Sequence, residues 1–252
     1  MTKFKLEEAT IADVHRAFRS GALTARRLVG MYLQRIEAYD HKGPKLNSVI
    51  TVNPGALKAA AALDAKFRKT GPAGPLHGIP VLLKDNVNTK DMPTTGGSRS
   101  LEGYVPPSDA TITRKLREAG AIIIAKVNLH EFAVWGESVS SILGQTLNPY
   151  DLTRTPGGSS GGTGAALAAN FGILGIGTDT VNSIRSPASA NSIAGIRPTI
   201  GLVSRGGIIP YSLTQDAAGP MARTVADAAK MLNVLAGYDP GDPATAWSVG
   251  RI

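Results

Sequence analysis

The stretch GGSSGGTGAALAANFGILGIGTDTVNS, Gly157 to Ser183, decides how the chain is read. Its glycine- and serine-rich start is a flexible turn. The Ala/Gly run that follows predicts a helix whose small side chains permit close approach to a neighbouring element. Phe171 to Gly177 then forms an apolar strand ending at Asp179, and a serine, Ser183, lies just beyond it. Loop, small-residue helix and buried strand in succession are an α/β unit, and its C-terminal end is where such sheets place their sites.

The same rhythm extends outward in both directions. Leu28, Tyr32, Leu33 and Ile36 recur at helical spacing between Thr24, a candidate cap, and Asp40; Ala56 to Phe67 predicts a second, Ala-rich helix. Val81-Leu82-Leu83-Lys84-Asp85 is a short buried strand, and DATITRKLREAG (109–120) predicts a helix running into the apolar strand Ala121 to Val127. A last helix starts at Thr224, with Asp227 placed to complete its cap. It is expected to carry Val225, Met231, Leu232 and Leu235 inward and to stop at Gly237. The pattern predicts an α/β fold with a mixed, mostly buried sheet flanked by helices on both faces. It is read as a single domain over 1–252 with a helical packing region over about 1–70.

Composition removes several function classes. The chain has 252 residues, 42% of them hydrophobic, enough for a substantial core. Its 27 Lys and Arg against 19 Asp and Glu give a formal charge of +8, but the basic residues are scattered, so no nucleic-acid partner is predicted. The absence of cysteine excludes thiolate zinc sites and a cysteine nucleophile. The four histidines form no metal-binding spacing, and no metal or cofactor is expected. GGSSGGTGA lacks the Gly-Lys-Ser/Thr ending of a phosphate loop and does not fit GxGxxG. No stretch has the length of a membrane span, so a cytoplasmic protein is expected.

A serine hydroxyl needs a base, and a lysine serves if burial keeps its amine neutral. Lys84 is a candidate, carried from an apolar strand to the strand's end. The same stretch also fits a lysine that merely leaves the core or pairs with Asp85. Three segments set the balance together: GIPVLLKDN with Lys84, TPGGSSGGTGAALAA with Ser159 and Ser160, and GTDTVNSIRSPASA with Ser183, at spacings of 75 and 24 residues.

This constellation resembles the amidase signature family. The resemblance runs from about Thr10 to Trp247. It also takes in TTGGSRSLEG (94–103), NLHEFA (128–133), NPYDLTRTPGGSSGG (148–162) and GIRPTIGLVSRGGIIP (195–210). It implies a fold of the amidase signature type and an amide hydrolase acting on carboxamide C–N bonds through a seryl acyl-enzyme. It also implies a Ser-cisSer-Lys triad: Ser183 as nucleophile, Ser159 as bridge after a cis Gly158–Ser159 bond, and Lys84 as base. The turn Thr180, Val181, Asn182 and Ser183 is expected to supply the oxyanion hole. Ser160, Asp179 and Arg185 are expected to support it, with Asp179 and Arg185 read as an ion pair or Arg185 as the binder of a substrate carboxylate. Thr180 and Gln215 are expected to line the pocket.

Two departures from the family pattern stand out. Most members carry Gly-Gly where this chain has Val181-Asn182, which requires either a negative φ at Val181 or an altered oxyanion hole. Members also usually continue well beyond Ile252, so the fold is expected to be incomplete at its C-terminal end. A small-molecule amide is the expected partner, with a second copy or a complementing C-terminal chain as the protein partner. Two other functions fit the residues: the glutaminase subunit of a tRNA-dependent amidotransferase, and a truncated or degenerate non-catalytic relative.

Overall fold

A computed structural model describes residues 4–251. Its helices are α1 (Ile11–Arg19), α2 (Ala25–Ile36), α3 (Ala56–Thr70), α4 (Thr111–Glu118), α5 (Gly161–Ala168), α6 (Arg185–Ala190) and α7 (Val225–Leu235). Its strands are β1 (Val49–Val52), β2 (Pro80–Lys84), β3 (Ile122–Val127), β4 (Val139–Ser140), β5 (Gly144–Gln145), β6 (Leu174–Asp179), β7 (Ala194–Gly195) and β8 (Ala217–Ala222).

The starts of α1, α2 and α7 follow side-chain chemistry. The Thr10 hydroxyl accepts from Asp13 N–H while Asp13 reaches back to Thr10, a reciprocal cap that sets the start of α1. Thr24 and Thr224 cap α2 and α7 through the same hydroxyl contact. Within α2, Leu28, Tyr32 and Ile36 are buried as their spacing requires, and the helix runs on through one wider turn, Glu37–His41. In α7, Met231 and Leu235 face the core, but Val225 does not. At the first helical position it sits on the solvent side, 71% exposed, and the helix ends at Leu235.

Six strands form one mixed sheet in the order β1-β3-β2-β6-β8-β7, with β4 and β5 a separate pair. The central strands β3, β2 and β6 run parallel, and β1, β8 and β7 are antiparallel to their neighbours. Helices flank the sheet: α5 packs on β2, β6 and β8, α3 and α4 on β3, and α7 on β7 and β8. Strands β2, β3, β6 and β8 are buried along their whole length. The chemistry-bearing ends of β2 and β6 therefore emerge side by side at one edge of the core, Lys84 on one strand and Thr178 and Asp179 on the other.

Two glycines hold α5 against this edge. A side chain on Gly162 would lie 2.2 Å from the carbonyl oxygen of Asn128, just past β3. One on Gly175 of β6 would lie 2.5 Å from Thr163 of α5. Only glycine lets the helix sit this close.

Candidate active site

Lys84 is the last residue of β2 and is fully buried, its amine ringed by oxygen atoms. Nζ lies 2.7 Å from Ser159 Oγ, 2.9 Å from Ser160 Oγ and 2.8 Å from Thr178 Oγ1. Among the described residues no carboxylate pairs with it. Asp85, the alternative partner, instead holds the buried Lys126 at 2.9 Å and accepts from Thr95 N–H and from the Thr95 hydroxyl. Burial without a counter-ion penalises the charged form, so the Lys84 amine is pulled down to about 7, against the more distant charges of Asp179 and Asp216.

Ser159 and Ser160 end the turn that precedes α5, and the Gly158–Ser159 peptide bond is cis. Both hydroxyls are buried. Ser160 Oγ donates to the Thr178 carbonyl oxygen at 3.1 Å and accepts from Thr178 N–H at 3.2 Å, which ties the turn to the end of β6. The turn is fixed from outside by Ser138, whose hydroxyl donates to the Gly157 carbonyl and accepts from Gly161 N–H.

Ser183 lies four residues past β6 and retains 8% exposure. Its carbonyl oxygen accepts from Ser160 N–H at 3.2 Å, placing the two serine segments in contact. No hydrogen bond joins the hydroxyls of Ser159 and Ser183 among the described residues. Neither Val181 nor Asn182 has a positive φ, so the β-branched side chain at 181 is accommodated without a left-handed backbone. The N–H groups of residues 180–183 donate to no protein acceptor among the described residues.

The turn carrying Ser183 is anchored on buried Asp179. Its carboxylate accepts from Ile184 N–H at 2.9 Å and meets Arg185 Nε at 3.2 Å and Arg197 Nε at 3.0 Å. Arg185 is half-exposed and also donates to the Val181 carbonyl; Arg197 is more buried and reaches the Gln215 carbonyl at 2.8 Å. The Gln215 side chain faces solvent, whereas Thr180 donates to Asp216 at 2.5 Å and borders a cavity of about 420 Å³.

Three participants escaped the sequence reading: Thr178, Asn86 and Arg197. Asn86 Nδ2 donates to Thr178 Oγ1 at 3.1 Å. Asn86 follows Lys84 by two residues, the spacing that returns a side chain to the same side of an extended segment, and that signal was available.

A family model described as Amidase matches residues 27–249. The chain belongs to the amidase signature family. The chain's mixed sheet and flanking helices superpose on solved structures of that family. The native peptide amidase of Stenotrophomonas maltophilia superposes with a TM-score of 0.95 at 48% identity, covering 99% of this chain and 52% of that one. A glutamyl-tRNA(Gln) amidotransferase subunit of Thermotoga maritima superposes with a TM-score of 0.83 at 35% identity, covering 98% and 50%. Its counterpart of the same name from Streptomyces coelicolor is 47% identical over 234 residues, 92% of this chain and 46% of the relative. The chain thus spans about half the length of the amidase signature relatives it matches. Among the described residues no helix is long and apolar enough to cross a membrane, and no cluster of His, Asp and Glu could hold a metal ion.

Proposed function

We propose that the protein hydrolyses carboxamide C–N bonds through an acyl-enzyme on Ser183, with Lys84 as base and Ser159 as the bridge between them. The observation that carries this reading is the buried amine of Lys84, 2.7 Å from Ser159 Oγ and paired with no carboxylate among the described residues.

Hydrogen-bond accounting orients the amine. A neutral amine has two N–H groups and one lone pair. Ser160 already directs its proton at the Thr178 carbonyl, so it accepts one N–H of Lys84. Thr178 Oγ1 accepts from Asn86 and takes the second N–H. Ser159 is sealed, with Lys84 as its hydroxyl's only protein partner among the described residues. The lone pair then receives the Ser159 proton, and Ser159 Oγ is left to accept the proton of Ser183.

The reaction follows from that direction of transfer. Ser183 Oγ turns toward Ser159 as substrate binds, a tightening usual between the free and the occupied site. It attacks the amide carbon while its proton passes through Ser159 to Lys84. The carbonyl oxygen becomes an oxyanion against N–H groups of the 180–183 turn, each worth about 3 kcal/mol in such a role. Collapse breaks the C–N bond, and the proton returns through Ser159 to the departing amine. Water then attacks the acyl group by the same relay and restores Ser183.

The test is labelling with a fluorophosphonate, read by intact mass and peptide mapping. An adduct on Ser183, and amide hydrolysis lost in Ser183→Ala, is the expected result. A folded protein that is neither labelled nor active overturns the proposal.

A second reading rests on the 47% identity to an amidotransferase subunit: the same site acts as a glutaminase within a multi-subunit enzyme. It predicts glutamine hydrolysis that rises when partner subunits are present.

A further inference from the structure

The cavity of about 420 Å³ beside the lysine lies where β6 and β8 meet the segments 205–213 and 241–244. It adjoins the proposed reaction centre through two residues of its wall. Thr178 touches the Lys84 amine, and Thr180 lies three residues before Ser183. Most of its surface is apolar, contributed by Ala133, Ile208, Ile209, Tyr211, Ala218 and Pro243 among others.

Its charged residues are already engaged. Arg205 is held by both oxygens of Asp242, at 3.0 and 2.8 Å, and also donates to the Leu213 carbonyl at 2.6 Å. Asp216 accepts from the Thr180 hydroxyl and from the N–H groups of Tyr211 and Ser212. The wall therefore carries one cation and two carboxylates, which repels an anion, and both carboxylates are saturated by internal donors. One polar atom differs. Asn86 is only 2% exposed and borders the cavity, and its Oδ1 has no hydrogen-bond partner among the described residues, while its Nδ2 is fixed on Thr178. A buried acceptor left unpaired is costly, and such an atom on a cavity wall calls for a donor from whatever enters.

We infer that this cavity takes an uncharged, apolar group of the substrate, and that Asn86 Oδ1 accepts the N–H of the amide at the cavity's inner end. The inference rests on the proposed amidase reading and adds the substrate class. Primary and secondary amides with an apolar, for example aryl, group fit. Esters and tertiary amides lack the N–H, and carboxylate-bearing amides meet the negative wall. A site built to receive a donor strongly rejects an analogue lacking it, because its own acceptor is then left unpaired.

The experiment measures binding to Ser183→Ala by calorimetry, so that turnover does not intervene. The ligands are phenylacetamide, methyl phenylacetate, and phenylacetamides bearing a para carboxylate or a para aminomethyl group. Phenylacetamide is expected to bind about tenfold or more tightly than the ester and than either charged analogue. Asn86→Leu is expected to close the gap between amide and ester, and Ile209→Phe, which narrows the cavity, to weaken phenylacetamide. Equal affinity for amide and ester with Asn86 in place overturns the inference whatever the variants do. So does a charged analogue that binds as tightly as phenylacetamide, or no binding of phenylacetamide at all. The two proposals fail separately. Turnover that depends on Ser183 without these preferences removes the pocket assignment alone, and the preferences without turnover remove the reaction alone.

Discussion

Ser160 Oγ donates its only proton to the carbonyl oxygen of Thr178, 3.1 Å away, and so faces Lys84 as an acceptor. That bond fixes more than a turn. On the proposed reading it occupies one N–H of the amine and, together with Thr178 Oγ1, leaves the lone pair for Ser159.

Ser160→Ala tests this arrangement. It removes one acceptor and frees the amine to rotate, without removing the base, the bridge or the nucleophile. A fall of about 10- to 100-fold in kcat with little change in KM is expected, against several orders of magnitude for Lys84→Ala, Ser159→Ala or Ser183→Ala. The substitutions should be non-additive if the three groups form the proposed relay; a Lys84→Ala/Ser159→Ala double variant should then be little worse than either single one. Steady-state kinetics on the set decides it.

As the proposed base, the Lys84 amine must be neutral to act, so kcat/KM should rise with pH through about 7 and level off above it. Stability carries the same signature. The folded value lies below the ordinary 10.5, so the unfolded chain binds more protons between the two values and stability rises with pH across that window. Below about 7 the cost of burying the charged amine is fully present. Lys84→Met removes the group, so the melting temperature of the unmodified protein should gain on that of Lys84→Met as pH goes from about 7 to about 10. A constant difference between the two melts contradicts the burial argument.

How much of this was legible depends on the residue. Parallel β2, β3 and β6 were readable because apolar runs meet turn residues at their ends, and α2 and α7 because their caps are written in Thr24 and Thr224; α1, capped by Thr10 and Asp13, was not read as a helix. Strand β8 was not. Its sequence AAGPMA has almost no strand character, yet it fills the sheet next to β6, because the neighbouring chain comes so close that a side chain on Gly219 would lie 2.1 Å from the Ile196 carbonyl. Tertiary packing chose those small residues, and no local pattern reveals it. At the site, Lys84, Ser159, Ser160 and Ser183 were visible as motifs. Arg197 was not, since its reach to Asp179 spans 18 residues with α6 and β7 between them. Val225 was misplaced because a position at the very start of a helix is not yet committed to the helix's buried face.

Asp179 is buried and joined by two guanidinium groups and the backbone N–H groups of Ile184 and Arg185, so its loss should loosen the turn that carries Ser183. Removing one member of a buried charge cluster costs roughly 3–5 kcal/mol. Asp179→Asn should therefore lower the melting temperature clearly. Arg197→Ala should cost more than Arg185→Ala, because Arg185 is the more exposed and solvent screens its pairing. Since the Asp179 charge supports the Lys84 proton, Asp179→Asn should also shift the rise in kcat/KM to lower pH. Thermal melts and the pH profile of the same protein check both halves.

The opposite end of β2 gives an acid-side prediction. His77 Nδ1 accepts from Ala73 N–H at 3.1 Å, its ring stacks on Phe67 with centroids 5.2 Å apart, and its carbonyl oxygen meets His15 Nε2 at 3.0 Å. Nδ1 is an acceptor only in the neutral ring, and burial lowers both histidines below 6.5 while each lies near basic groups, Arg19 and Lys230 for His15 and Lys66 for His77. A depressed folded value means that the neutral rings stabilise the fold above about pH 6.5, and that this contribution fades as pH falls through the lowered values. Melting temperature should therefore drop as pH falls below about 6.5, and His77→Gln, which cannot titrate, should flatten that drop. An identical acid slope in the variant would place the loss on carboxylates instead and leave the 73–77 turn without a role in it.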